Sequence, residues 1–73
     1  MEVSGRVIAH QEQRLRLLTD SGQVYLLTLT NRTRLGTDQL SDYQTRGARL
    51  AVRFDGQPNL TGGVVVDVRE VDR

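Results

Sequence analysis

The chain has 73 residues, with ten basic and nine acidic side chains and a net charge of +1. A chain of this length is predicted to fold as a single domain, residues 1–73. Such a domain buries only about 60% of its unfolded surface, so association with another molecule would add stability. The absence of cysteine excludes disulfides and thiolate metal sites. The nearly balanced charge also differs from the strongly basic profile of many nucleic-acid-binding domains.

All ten basic residues are arginine. One interpretation is selection for planar, bidentate contacts, which the ammonium group of lysine cannot make. The other is a GC-rich genome that favours arginine codons. The second is favoured, because a selected interface would not remove lysine from the whole surface.

The apolar residues are spread along the chain in short groups. No run reaches the roughly 20 residues needed to cross a bilayer. The N-terminus, MEVSGRVIAH, shows no charged leader followed by a long apolar stretch. These patterns predict a cytoplasmic protein that does not enter the membrane.

Five segments have the apolar alternation or concentration of β-strands. The first three are predicted near residues 2–10, 13–19 and 23–30, and the last two are ARLAVRF and VVVDVREV. Gly5, inside the first segment, indicates a bulge or a bend of the kind found at barrel corners.

A short helix is predicted between the third and fourth strands. Thr37 or Asp38 can cap its start, and Gly47 suits its end. Leu40 and Tyr43, three residues apart, give it an apolar inner face. The predicted fold class is therefore all-β: a small five-stranded OB-like barrel with a short helix between strands 3 and 4. An SH3-like barrel, which normally lacks that helix, is the alternative.

The sequence DSG between the second and third strands decides which side chains point outward. A three-residue loop with Gly22 in the left-handed conformation is favoured. It pairs Leu17 with Tyr25 and turns both inward. A two-residue loop is the alternative, and it would place Tyr25 outside, beside Arg16. In the favoured register the outer face carries six residues: Arg14, Arg16, Leu18, Val24, Leu26 and Thr28.

Four stretches of the chain resemble the S1-like subgroup of OB domains, which includes a small bacterial translation initiation factor. They are VSGRV, DSGQV, GARLAVRF and PNLTGGVVVDVR. The chain is equally similar to small bacterial OB domains with no known activity. The resemblance implies an OB barrel and binding of single-stranded RNA or DNA. The RNA-binding members are rich in lysine and in surface aromatic residues, whereas this chain has no lysine and only two Tyr and one Phe.

Two binding functions are predicted as alternatives. The first is single-stranded nucleic-acid binding through an arginine-bearing barrel face. Its candidate residues are Arg14, Arg16, Arg32, Arg34, Arg53 and Tyr25. The second is a protein-interaction or self-assembly module, in which the partner is another protein or a second copy of the chain. Its candidate interface residues are Leu18, Val24 and Leu26.

Catalysis has little support in the sequence. A serine nucleophile would have to work with His10, the only histidine, and no G-x-S-x-G elbow is present. The available serines are Ser4, Ser21 and Ser41. His10 is predicted to be a surface or strand-edge residue. The chain is therefore predicted not to be an enzyme and to use no cofactor and no metal.

An acidic group and a pair of glycines near the C-terminus are predicted to have structural roles. Asp67, Glu70 and Asp72 lie along the last strand and are predicted to solvate its outer side. Gly62 and Gly63 lack the lysine and the strand-to-helix context of a phosphate-binding loop, so they are predicted to form a bulge or a turn.

Overall fold

The computed structural model describes residues 1–30, 33, 35–56 and 62–71. Five strands and one helix follow one another in the predicted order. They are β1 (Glu2–Gln11), β2 (Arg14–Thr19), β3 (Val24–Thr28), α1 (Thr37–Arg46), β4 (Leu50–Asp55) and β5 (Gly62–Glu70).

The strands form a closed barrel in the order β1-β2-β3-β5-β4. The pair β3–β5 is parallel, and the other neighbours are antiparallel. The helix lies between the third and fourth strands in sequence, which distinguishes the fold from the SH3-like alternative. The predicted five-stranded OB-like barrel is confirmed. Because the barrel is closed, every strand is paired on both sides. β2 and β3 are neighbours in it.

The core is built from the inward side chains of all five strands. Tyr25 and Phe54, both members of this core, pack edge to face, with ring centroids 5.5 Å apart and an interplanar angle of 61°. Leu40 of α1 is 1% exposed and joins this core, and Tyr43 packs against it. The predicted inner face of the helix is therefore confirmed, and the helix covers part of the barrel interior.

The first part of β1 pairs with β4 and the later part pairs with β2, and Gly5 lies where the two pairings overlap. It is paired with β4 on one side and with Thr19 of β2 on the other. A Cβ atom at Gly5 would overlap the carbonyl group of Leu18, so glycine permits the close approach of β2. The bulge itself lies further along β1, where Ile8 has no partner between Val7 and Ala9.

The start of the helix differs from the prediction. The N-cap is Gly36, and Thr37 and Asp38 are already helical. Gly36 has no capping side chain, and its own N–H donates to the side-chain oxygen of Gln39 at 3.3 Å. The predicted end is confirmed, because Gly47 has φ 63 and its N–H donates to a carbonyl of the last helical turn.

Side-chain hydrogen bonds fasten the helix to the barrel. The amide nitrogen of Gln44 donates to the carbonyl oxygen of Ile8 at 3.0 Å. Arg46 donates to both carboxylate oxygens of Glu70 at 3.0 and 3.1 Å, and also to Asp42 at 2.9 Å. The hydrogen bonds from Arg46 lower the pKa of Glu70 below its ordinary value. These contacts hold α1 against β1 and β5.

The predictions near the C-terminus have mixed outcomes. Gly62 and Gly63 begin β5 and pair in parallel with β3, so they do not form a turn. A Cβ atom at Gly63 would overlap the ring of Phe54, which explains the glycine by packing. Asp67 is exposed, as predicted for an outward carboxylate. Asp72 lies outside the described residues.

Candidate nucleic-acid interface

The β2–β3 hairpin has the register that the three-residue loop predicts. Leu17 lies opposite Tyr25 in the ladder. The N–H of Thr19 donates to the carbonyl of Gln23 at 2.9 Å and closes the loop. Gly22 has φ 90, a conformation that glycine adopts at little cost. The prediction of this register is confirmed, and the two-residue alternative is wrong.

This register places the same six side chains on the outside as predicted. They are Arg14, Arg16 and Leu18 on β2, and Val24, Leu26 and Thr28 on β3, and they are called the β2–β3 face below. Arg16 lies opposite Leu26, and Arg14 lies opposite Thr28. Five of the six are exposed, and Leu18 is half-buried.

The two arginines of this face differ from the ion-paired arginines elsewhere. Arg46 is paired with carboxylates of α1 and β5, and Arg49 is paired with Asp20. Within the described part of the chain, neither Arg14 nor Arg16 has a carboxylate at ion-pair distance. Their positive charges are therefore available to an anion from solution.

Exposed aliphatic side chains surround these arginines. Val24 is 41% exposed and Leu26 is 49% exposed. Val64 of β5 is 43% exposed and lies opposite Thr28, so it extends the apolar surface beyond β3. Its position was not predicted, because the run VVVDV does not reveal which valines point outward. The result is an aliphatic surface with two guanidinium groups at its edge.

Arg6 is a further member of this surface that was not predicted from the sequence. It lies on β1 directly opposite Leu18, and it is exposed. It too has no carboxylate at ion-pair distance among the described residues. The alternation of Arg6 with the buried Val7 is the signal that places it outside.

Tyr25 is the candidate residue that the structure removes from the site. It is 7% exposed, and its ring packs against Phe54 inside the barrel, so neither face of the ring can stack on a base. The remaining aromatic residue, Tyr43, is on α1 with the guanidinium of Arg46 over its ring at 5.8 Å. The β2–β3 face therefore carries no aromatic side chain.

Arg53 is outward-facing but lies apart from the β2–β3 face. It is on β4, opposite Glu2 of β1 on one side and Asp67 of β5 on the other. This places Arg53 between two strands that each present a carboxylate. Arg32 and Arg34, the other two predicted contacts, lie outside the described residues.

An open groove of about 480 Å³ runs from the turn between β1 and β2 onto the β2–β3 face. Arg14, Arg16 and Leu26 line it, and Glu12 of the turn contributes its one carboxylate residue. The groove therefore combines two cations, an aliphatic wall and a single acidic residue.

His10 has a structural partner. It lies opposite the buried Leu15, and its Nε2 is 3.1 Å from the hydroxyl oxygen of Ser41 on α1. The pair links β1 to the helix. Among the described residues no carboxylate is hydrogen-bonded to His10, and no three metal-ligating side chains come together.

The chain matches no protein family, and no curated protein matches it significantly. Within the described ranges, no helix is both long and apolar enough to cross a membrane. The functional inference therefore depends on the geometry of the barrel and of the β2–β3 face.

Proposed function

We propose that the protein is a non-catalytic module that binds single-stranded nucleic acid, RNA or DNA, through the β2–β3 face. The observation that carries this proposal is the pair Arg14 and Arg16, both exposed and both without a carboxylate partner among the described residues. Arginine contacts to phosphates provide most of the sequence-independent affinity of such proteins, through the release of counterions.

The position of these arginines in the fold supports the proposal. In OB barrels the outer side of strands 2 and 3, together with the loop between strands 1 and 2, binds oligonucleotides and oligosaccharides. The groove occupies this place, because it extends from Glu12 to Leu26. The resemblance to S1-like OB domains points to the same ligand by analogy, and membership of that subgroup stays a prediction.

The side chains of the face define the kind of contact. Aromatic platforms contribute about 1–3 kcal/mol per stacked base. On the β2–β3 face the bases would instead contact aliphatic side chains such as Leu26 and the flat guanidinium groups. We therefore expect weak, strongly salt-dependent binding with little sequence preference.

Fluorescence anisotropy with labelled single-stranded DNA and RNA tests the proposal. Binding is expected at about 50 mM salt, with a steep loss at about 200 mM. The double variant R14Q/R16Q should lose affinity by about tenfold or more at low salt, because two phosphate contacts are removed. R53Q is the matched control, since it removes an outward arginine on β4. Absence of binding at low salt, or equal losses in the double variant and the control, would contradict the proposal.

A second candidate function is protein interaction or self-assembly through Leu18, Val24 and Leu26. The observation that favours it is the exposure of Val24 and Leu26, at 41% and 49%. Apolar surface bordered by arginine is common at protein interfaces. Size-exclusion chromatography with light scattering, from micromolar to millimolar protein, tests self-assembly. A monomer at every concentration would count against it, and L26D should abolish any oligomer that forms.

A further inference from the structure

Three arginines lie in a row that follows the direction of β2. Arg14 and Arg16 are two residues apart on the strand, so their Cα atoms are separated by about 6.7 Å. The next outward position on β2 is Leu18, and Arg6 of β1 lies directly opposite it. The three arginines therefore occupy three successive outward rows, two of them on β2 and the third one strand away on β1, and they are called the arginine line below.

The arginine line is matched by a second line on β3. Each outward position of β2 lies opposite an outward residue of β3: Leu18 opposite Val24, Arg16 opposite Leu26, and Arg14 opposite Thr28. The rows of Arg16 and Arg14 thus each pair an arginine with an aliphatic or methyl-bearing side chain, whereas in the third row Leu18 lies between Arg6 on β1 and Val24 on β3. Adjacent strands are about 4.8 Å apart, so Arg16 and Leu26, or Arg14 and Thr28, are close enough to contact one nucleotide. In the third row the residue adjacent to Arg6 is Leu18 of β2.

We propose that a single strand lies parallel to β2, with successive phosphates on the arginine line and the bases over the β3 side chains. This inference rests on the proposed function. It adds the direction in which the nucleic acid runs across the barrel and the number of nucleotides that the face binds. A step of two residues along a strand is comparable with the spacing of phosphates in an extended single strand. Three arginines then define a site of about three phosphates, and the affinity should stop rising steeply beyond about four nucleotides.

The charges of the other strands support this direction. A ligand that crossed the strands within one row would meet one guanidinium group on the β1–β2–β3 surface. To reach a further outward cation on β4 it would approach Arg53, which lies between Glu2 and Asp67. A ligand that follows β2 meets Arg14 and Arg16 on the strand and Arg6 beside it, and Glu12 of the turn is the one carboxylate residue that lines the groove along this path. Repulsion between carboxylates and phosphates therefore favours the path along β2.

Salt titrations of single variants test the direction. For single strands the slope of log K against log salt is about −0.7 per phosphate contacted, so three contacts give a slope of about −2. Each of the three arginine variants, R6Q, R14Q and R16Q, should make the slope less steep by about 0.7. L26A should weaken binding without changing the slope, because it removes no charge. R53Q should leave the slope unchanged. Circular dichroism confirms that each surface variant is folded.

The outcomes separate this inference from the proposed function. If R14Q and R16Q reduce the slope but R6Q does not, or if R53Q reduces it equally, the direction along β2 is wrong while nucleic-acid binding stands. An affinity that keeps rising steeply from four to ten nucleotides would also overturn the three-phosphate site. Absence of binding by the unmodified protein at low salt overturns both.

Discussion

Leu17 and Tyr25 lie directly opposite each other in the β2–β3 ladder, and both point into the barrel. Because side chains alternate along a strand, this one pair turns Arg16 and Leu26 outward together. A shift of one residue would exchange the two faces of β3 relative to β2 and bring the Tyr25 ring to the surface beside Arg16. The chemistry of the outer face is thus determined by the loop that fixes the register.

Gly22→Ala tests how much the backbone conformation of this loop contributes to stability. Gly22 has φ 90, a conformation that an L-residue adopts only with strain, although a Cβ atom at this position would have no neighbour within 4 Å. We expect the free energy of unfolding to fall by about 1–2 kcal/mol, measured by urea denaturation. Gln23→Ala, at the residue that follows the loop, is the matched control. It should change the free energy of unfolding by less than about 0.5 kcal/mol. Equal effects of the two variants would show that the backbone conformation of Gly22 is not the cause.

Gly5→Ala tests the close approach of β1 and β2. The new Cβ would overlap the carbonyl of Leu18, a backbone group that cannot turn aside as a side chain could. Overpacking of this kind typically costs about 1–3 kcal/mol. We expect a clear fall in Tm, or failure to fold, in a domain with so small a core. A variant with unchanged Tm would mean that β2 can move away from Gly5 at little cost.

The strands and the hairpin register could be predicted because local chemistry determines them. Alternation of apolar residues identifies the inner face of β2 and β3, and a glycine at the third loop position identifies the turn. The end of α1 was predictable for the same reason, since Gly47 takes the left-handed conformation that helix ends often require. Each of these features depends on residues that are close in sequence.

The features that could not be predicted depend on long-range pairing. Besides the bulge at Ile8 in β1, β5 has a bulge at Val66, which has no partner between Val65 and Asp67. Ile8 and Val66 are both β-branched and have the sequence character of ordinary strand residues. The N-cap at Gly36 is an exception, because its contact is local: the N–H of Gly36 donates to the side chain of Gln39, whereas glycine has no side chain that could accept from the first N–H groups of the helix. Arg6 joins the β2–β3 face only through its pairing with Leu18, which no local pattern shows.

Glu12→Gly should stabilise the protein. Glu12 lies in the two-residue turn that joins Gln11 to Arg14, and it has φ 55 although it is not glycine. Relief of this strain exceeds the extra entropy of glycine in the unfolded chain, so we expect a gain of about 0.5–1 kcal/mol. Gln13→Gly is the matched control, because Gln13 has no positive φ, and it should lower stability. If both variants shift Tm in the same direction, the strain assigned to Glu12 is absent.

Acid should weaken the attachment of α1 to β5. The hydrogen bonds from Arg46 lower the pKa of Glu70 below its ordinary value of 4.5, so the ion pair stabilises the fold above that pH. As the pH falls through the lowered pKa, Glu70 becomes protonated in the folded state and the contribution is lost. A double-mutant cycle of R46Q and E70Q should therefore give a favourable coupling at about pH 6 that decreases as the pH falls below 4.5. The cycle separates this pair from the second contact of Arg46, with Asp42, which E70Q leaves in place.

Because the Arg46–Glu70 pair is exposed, the coupling should also decrease in high salt. A coupling that persists at low pH would show that Arg46 stabilises the helix through packing, independently of the charge on Glu70.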